Sequence, residues 1–199
     1  MTTQVPPALE PYADTDGQLE RSYPDLHEHV LALAREDLLY VITEPINKDT
    51  EMHPLVRWQY RGGIPESERK AFLFVQPTDS KGRNFESAVL VAGLAGSPQV
   101  YRVGFGSPLE GIGESWIKAI ANPIDPRIVK VAPCHDVVIS GAELDTPGNA
   151  LERLPVPIST PGWDNAPYLS AGHYITRDPE SGLQNMGNYR GQIKAPRRL

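Results

Sequence analysis

The sequence predicts an α+β fold in two parts, an N-terminal α/β layer followed by a half made of short strands. Three observations carry this. Helical and strand-like apolar patterns alternate between Asp25 and Ala92, which is the signature of a compact α/β layer. After Pro126 the pattern changes to short β-branched runs separated by prolines, as in a barrel or sandwich. The 20 prolines and 17 glycines are spread out as turn punctuation, which favours a loop-rich mixed fold over a helical bundle.

In order, residues 1–22 are polar and proline-containing and read as a leader without a periodic core pattern. Asp25 and Glu28 form a capping-box pattern, and Leu26, Val30, Leu33 and Ala34 mark one face of a helix ending near Glu36. The β-branched and aromatic run Leu38 to Ile46 reads as a strand. Met52, Leu55, Val56 and Gln59 have helical spacing, stopped by Gly62-Gly63. Ala71 to Val75 and Ser87 to Ala92 read as buried strands, and Ser97-Pro98 offers an N-cap with proline at the first helical position. From Pro108, the spacing of Leu109, Ile112, Trp116, Ile117 and Ile120 gives an amphipathic helix linking the two halves. Ile128 to Val131, Val137 to Ser140 and Leu154 to Ile158 read as strands, and Tyr168 to Thr176 and Leu183 to Ile193 as a hairpin closed by Asp178-Pro179-Glu180-Ser181-Gly182. The expected organisation is therefore a leader (1–22), an α/β domain (23–107), a linker helix (108–126) and a β-rich domain (127–199). That last domain is expected to be partial, since the chain ends before a barrel of ordinary strand count closes.

Composition excludes several functions. With 40% hydrophobic and 22% charged residues the chain is an ordinary globular sequence. No apolar run approaches the roughly 18 residues of a membrane span, and the N-terminus lacks a signal-peptide pattern. A net charge of −6 with dispersed basic residues argues against nucleic acid; Lys194, Arg197 and Arg198 read as a solvated tail. The single cysteine, Cys134, rules out an intrachain disulfide and suggests a reducing, cytoplasmic home.

Most candidate chemistry reduces to structure. Cys134-His135 reads as structural, because neighbours on a strand point to opposite faces. Five scattered histidines and one cysteine give no zinc spacing. His173 reads as a packed or hydrogen-bonded strand histidine. Gly93-Leu94-Ala95-Gly96 and Gly104-Phe105-Gly106 read as turns, too sparse for nucleotide fingerprints. Trp163-Asp164-Asn165-Ala166-Pro167 either lines a site or merely connects.

Asn185 and Arg190 are the pair with the clearest chemistry. An amide oxygen suits Mg²⁺ or Mn²⁺, and a guanidinium pairs with carboxylate or phosphate, although composition alone favours their being ordinary solvated side chains. Five positions apart on a regular strand, they face opposite ways. Bringing them to one site requires a bulge, for which Gly187 is the candidate.

Read together, Val131-Ala132-Pro133-Cys134-His135-Asp136-Val137-Val138, Leu154-Pro155-Val156-Pro157, Asp164-Asn165-Ala166-Pro167-Tyr168 and the run Ile175 to Arg190 resemble the UbiD family of reversible decarboxylases, as do Asp25-Leu26-His27 and Thr43-Glu44-Pro45-Ile46. The resemblance implies that the second half is part of a flavin-reductase-like split β-barrel that binds prenylated FMN through Mn²⁺ (or Mg²⁺) and K⁺. It implies Asn185 as a metal ligand, the Met186 carbonyl as a potassium ligand, and Ser170, Met186, Gly187, Asn188, Tyr189 and Arg190 along the cofactor. Arg190 would also be the catalytic arginine facing the substrate carboxylate. The substrate would be a small aromatic or α,β-unsaturated carboxylic acid that loses CO₂ non-oxidatively and reversibly. Members of the family carry further metal ligands and acid–base glutamates in sequence not found here, so the expectation is a fragment, a truncated product or a subunit. A homo-oligomer or partner subunit would complete the site. Two other readings are a non-catalytic binding or assembly subunit of a decarboxylase complex, and an unrelated split-barrel protein binding ordinary FMN without metal.

Overall fold

The computed structural model describes residues 25–126 and 128–199; the expected leader lies outside them. The first half is a three-layer sandwich. Helix α1 (Leu26–Arg35) starts at Asp25, whose carboxylate accepts from Glu28 N (2.8 Å) while Glu28 accepts from Asp25 N (2.6 Å). The capping box thus forms as the sequence indicates. Its buried face is His29, Val30 and Leu33; Leu26, expected on that face, is exposed. Strand β1 (Leu39–Ile42) is shorter than the run that predicts it, with Ile46–Asn47 forming the separate β2.

Helix α2 (Met52–Arg61) ends at Gly62 and buries Met52, Val56 and Gln59. The buried Gln59 amide is satisfied at both ends, donating to Lys70 O (2.9 Å) and accepting from Lys70 N (3.0 Å). Strands β3 (Ala71–Phe74), β4 (Pro77–Thr78) and β5 (Val89–Val91) follow. The main sheet has the order β1-β3-β5, parallel between β1 and β3 and antiparallel between β3 and β5; β2 and β4 pair in parallel beside it.

All four residues of the central strand β3 are buried, so its uninterrupted apolar run serves both faces. Ala71 and Leu73 join Val30, Leu33, Leu39, Val41 and Val100 on the side of α1 and α3. Phe72 and Phe74 join Met52 and Val56 on the side of α2. Helix α3 (Pro98–Phe105) begins at Ser97, whose hydroxyl accepts from Val100 N (3.3 Å), and ends at Gly106 with φ 70°. Gly104 lies inside α3 rather than in a turn, where α3 packs against the His29 ring of α1; a methyl group there would meet that ring at 3.4 Å, an ordinary van der Waals contact. The imidazole is fixed by Nε2–H donating to Gly93 O at 2.7 Å. Because Ser97 is buried, water cannot replace its hydroxyl. Ser97→Ala is expected to lower stability by about 1 kcal/mol, read by urea denaturation.

Helix α4 (Ile112–Ala121) forms as its periodicity predicts, after a 3-10 turn at Leu109–Gly111. Its apolar face is largely exposed: Trp116, Ile117 and Ile120 are 52%, 72% and 74% exposed, although the Trp116 ring packs on Phe105 with centroids 5.8 Å apart. The strands expected at Ile128 to Val131, Val137 to Ser140 and Leu154 to Ile158 are absent among the described residues. In their place the chain makes 3-10 turns at Pro133–His135, Gly141–Asp145 and Leu151–Arg153. β-Branched composition fits a strand only where a neighbour completes the ladder, and none of the described strands pairs with these segments. Cys134 is consequently an exposed thiol in a 3-10 turn. Ordered pairing resumes with β6 (Tyr168–Arg177) and β7 (Gln184–Gln192), a two-stranded antiparallel hairpin.

Candidate functional site

The hairpin carries every site residue the sequence nominates. Its turn is held by Asp178, whose carboxylate accepts from Ser181 N (2.6 Å), Ser181 Oγ (2.9 Å) and Glu180 N (2.9 Å), while Gly182 adopts φ 72°. Those donors, Ser181 first, hold the Asp178 carboxyl below the usual carboxylate range. At the other end, Ile193 N donates to Pro167 O (2.9 Å) and Gln192 Nε2 to Asn165 Oδ1 (2.6 Å). Arg57 of α2 donates to Ser159 O (2.9 Å) and Thr160 Oγ1 (3.3 Å), and Asp164 accepts from Thr160 N (2.8 Å). The Trp163 loop therefore fastens the hairpin base to the α/β layer, although Trp163 itself is 89% exposed.

The bulge is real but lies on the other arm. Thr176↔Asn185, Ile175↔Met186, Tyr174↔Gly187, His173↔Asn188 and Gly172↔Tyr189 pair in unbroken register, whereas the register shifts between Leu169 and Gly172. Since Leu169 pairs with Gly191 and Gly172 with Tyr189, Ser170 and Ala171 together stand opposite Arg190, the two-against-one arrangement of a β-bulge. Gly187 has a different role from the one its sequence context suggests. A methyl group on it would collide with the Tyr189 ring, and one on Gly191 with the Tyr174 hydroxyl. The two glycines make room for an edge-on aromatic pair, Tyr174 and Tyr189, with centroids 5.9 Å apart and planes at 86°.

Two faces result from the period-2 alternation. One carries Asn185 near the turn and the Tyr174–Tyr189 pair; the other carries Met186, Asn188 and Arg190, with His173 opposite Asn188 and Ser170 at the bulge beside Arg190. The structure thus brings Ser170 and Arg190 together, and leaves Asn185 and Arg190 on opposite faces, separated by five residues or roughly 16 Å of strand. Ser170, Asn185, Met186, Asn188, Tyr189 and Arg190 are all exposed and Gly187 is half-buried. His173 is exposed rather than packed, because no second layer of the described residues covers the hairpin there. Among the described residues no hydrogen bond or ion pair engages the Arg190 guanidinium or the Asn185 amide. The bulge escaped the sequence reading, although the run of small residues Ser170-Ala171-Gly172 within a strand pattern is its signal.

The donor set limits what this hairpin holds alone. Among the described residues, no three His, Cys, Asp or Glu side chains gather as a metal site. One amide oxygen at Asn185 falls short of the six or so ligands of Mn²⁺ or Mg²⁺. A flavin fits better. Among the described residues the outer edge of β7 is unpaired, so an elongated ligand lying along it is within reach of side chains from both faces, Asn185 at one end and Arg190 at the other.

Residues 127–199 match the family described as 3-octaprenyl-4-hydroxybenzoate carboxy-lyase (UbiD) Rift-related domain. Solved structures share the fold over most of the chain. HmfF, a UbiD-class enzyme from Pelotomaculum thermopropionicum, in complex with FMN, is 26% identical with a TM-score of 0.66, over 85% of this chain and 34% of that one. An evolved dimeric form of HmfF in complex with prFMN gives 23% identity and a TM-score of 0.67, over 85% and 36%. The vanillic acid decarboxylase of Sedimentibacter hydroxybenzoicus in its closed form gives 22% and 0.68, over 88% and 36%. The chain spans about a third of the length of each. Among the described residues no helix is long and apolar enough to cross a membrane.

Proposed function

We propose that the chain, whose residues 127–199 match the UbiD Rift-related domain, is a UbiD-family protein and forms one wall of a prenylated-FMN site in a non-oxidative, reversible decarboxylase of aromatic or α,β-unsaturated carboxylic acids. The observation that carries this reading is the β7 strand, whose open edge sets an amide and an unengaged guanidinium roughly 16 Å apart. That spacing suits a ligand with its phosphate at one end and its reacting ring at the other.

In this assignment β6 and β7 are two strands of a flavin-reductase-like split barrel. Asn185 contributes one oxygen towards an Mn²⁺ or Mg²⁺ ion at the phosphate end, and the Met186 carbonyl one towards K⁺, with the remaining ligands coming from other polypeptide. Ser170, Gly187, Asn188 and Tyr189 line the cofactor. When bound, the modified flavin supplies the electron sink that decarboxylation needs. Arg190 binds and orients the substrate carboxylate with its bidentate fork. The bulge places Ser170 beside it, where the hydroxyl can hold either the cofactor or the guanidinium in position.

A partner role has its own support. The largely exposed face of α4 continues into Ile124, Ile128 and Val131, which are 94%, 92% and 74% exposed; an apolar surface of this extent marks contact with further polypeptide. We assign it to the polypeptide, in a homo-oligomer or a partner subunit, that completes the site. The test is to incubate the purified chain with prenylated FMN, Mn²⁺ and K⁺, desalt it, and record flavin absorbance and CO₂ release from aromatic and acrylic acids. Metal-dependent flavin retention supports the assignment; equal retention of ordinary FMN without metal would point to an unrelated flavoprotein. Asn185→Ala is expected to weaken metal-dependent retention roughly tenfold, the loss of one charge-assisted contact, while leaving the fold's circular dichroism unchanged.

A further inference from the structure

Arg57 reaches from the α/β layer to the loop that leads into the hairpin. Helix α2 is anchored in the core by Met52, Val56 and Gln59, and Arg57 projects from it with Nη2 donating to both Ser159 O and Thr160 Oγ1. The receiving loop is braced from within. Asp164 Oδ2 accepts from Thr160 N, and Trp163 N and Asp164 N donate back to Thr160 O at 3.0 and 2.9 Å. Arg57, Ser159, Thr160 and Asp164 are all half-buried, so water competes only in part for these bonds. His53, one turn before Arg57 on α2, faces the same junction. Burial first and the Arg57 charge second hold its imidazole below the ordinary range, against the pull of Asp164.

From this anchor to Arg190 the connection is short and hydrogen-bonded. Asn165 and Pro167 are tied to Gln192 and Ile193, and the ladder pairs Tyr168↔Gln192 and Leu169↔Gly191 form the base of the hairpin. The bulge at Ser170 and Ala171, opposite Arg190, separates this base from the longer arm that runs from Gly172 to Arg177. A bulge bends its strand, so the course of the chain at Arg190 depends on how the base is held. No hydrogen bond or ion pair of the described residues holds the Arg190 guanidinium itself, which leaves its placement to the backbone.

We propose that Arg57 is a positioning residue for Arg190: by clamping the Ser159–Thr160 loop to α2 it fixes the base of the hairpin and, across the bulge, the place of the Arg190 guanidinium. This rests on the reading of Arg190 as the group that binds the substrate carboxylate. Arg57 acts through Arg190 and not on the substrate.

A double-mutant cycle on kcat/KM, in the assembled enzyme that contains this chain, separates such a role from a general structural one. Arg57→Ala is expected to lower kcat/KM about tenfold, the scale of a small misplacement at a reacting centre. In an Arg190→Ala background the same substitution is expected to change kcat/KM less than about twofold, since no guanidinium is left to place. Arg57→Lys is expected to lose no more than about threefold, because the contact uses one nitrogen rather than the two-point fork. Without flavin, hydrogen exchange in Arg57→Ala is expected to quicken roughly fivefold at the Thr160 and Ile193 amides, the worth of one hydrogen bond, and to stay unchanged at Ala71 and Val75 in the core sheet. Equal losses from Arg57→Ala in both backgrounds, or unchanged exchange at Thr160 and Ile193, would overturn the inference and leave the role of Arg190 standing. Full activity in Arg190→Ala would overturn that role and the inference with it.

Discussion

Arg190→Ala is expected to lower CO₂ release at least about 100-fold in the assembled enzyme that contains this chain, with flavin retention little changed. The magnitude is that of removing one preorganised charged donor from a reacting centre. The guanidinium is free to act because no carboxylate of the described residues engages it, and the bulge at Ser170 and Ala171 fixes its place on the strand. Arg190→Lys is expected to recover only a small part of the rate, since an ammonium keeps the charge and loses the two-point geometry. Steady-state kinetics over a range of aromatic acid concentrations would show the loss chiefly in kcat/KM; retained activity in Arg190→Ala would remove the catalytic assignment.

Phe74→Ala is expected to cost about 3–5 kcal/mol, a large share of the stability of a domain this size. Phe74 is fully buried on the central strand, 6.0 Å from Phe72 between ring centroids, and packs with Met52 and Val56 under α2. With β3 neighboured on both edges and covered on both faces, the cavity has little freedom to collapse. Guanidinium denaturation reads the effect directly. Phe74→Leu, which keeps most of the volume, is expected to recover more than half of it. A loss below about 1 kcal/mol for Phe74→Ala would show that the α2 side of the sheet is not a packed core.

How legible this chain was in its sequence depended on whether local chemistry or a distant partner decides each element. Asp25 with Glu28, Ser97 with Pro98, and the Asp178 to Gly182 turn each contain their own hydrogen-bond partners, and each forms as read. The Ala71 to Val75 run reads as a buried strand, and Ala71–Phe74 forms one that is covered on both faces. Ile128 to Val131 and Val137 to Ser140 have equally good strand composition, yet a strand exists only when another pairs with it. Gly187 shows the same limit within the candidate site. Its sequence neighbours suggest a bulge, whereas the space it leaves is filled by Tyr189, and the bulge falls across the hairpin at Ser170. The division of Asn185 and Arg190 between two faces was legible from spacing alone, and the structure keeps it.

The central claim is that β7 lies along the flavin with Asn185 at the metal end. The most direct test is to follow the backbone amide resonances of Gln184 to Gln192 in the labelled chain while adding prenylated FMN, first with diamagnetic Mg²⁺ and then with Mn²⁺. Even a single wall of a site gives weak binding that such spectra detect. The predicted result is shifts along the whole of β7 with Mg²⁺ and, with Mn²⁺, broadening that is strongest at Asn185 and fades towards Arg190. Undisturbed β7 resonances, or broadening centred elsewhere in the chain, would contradict it.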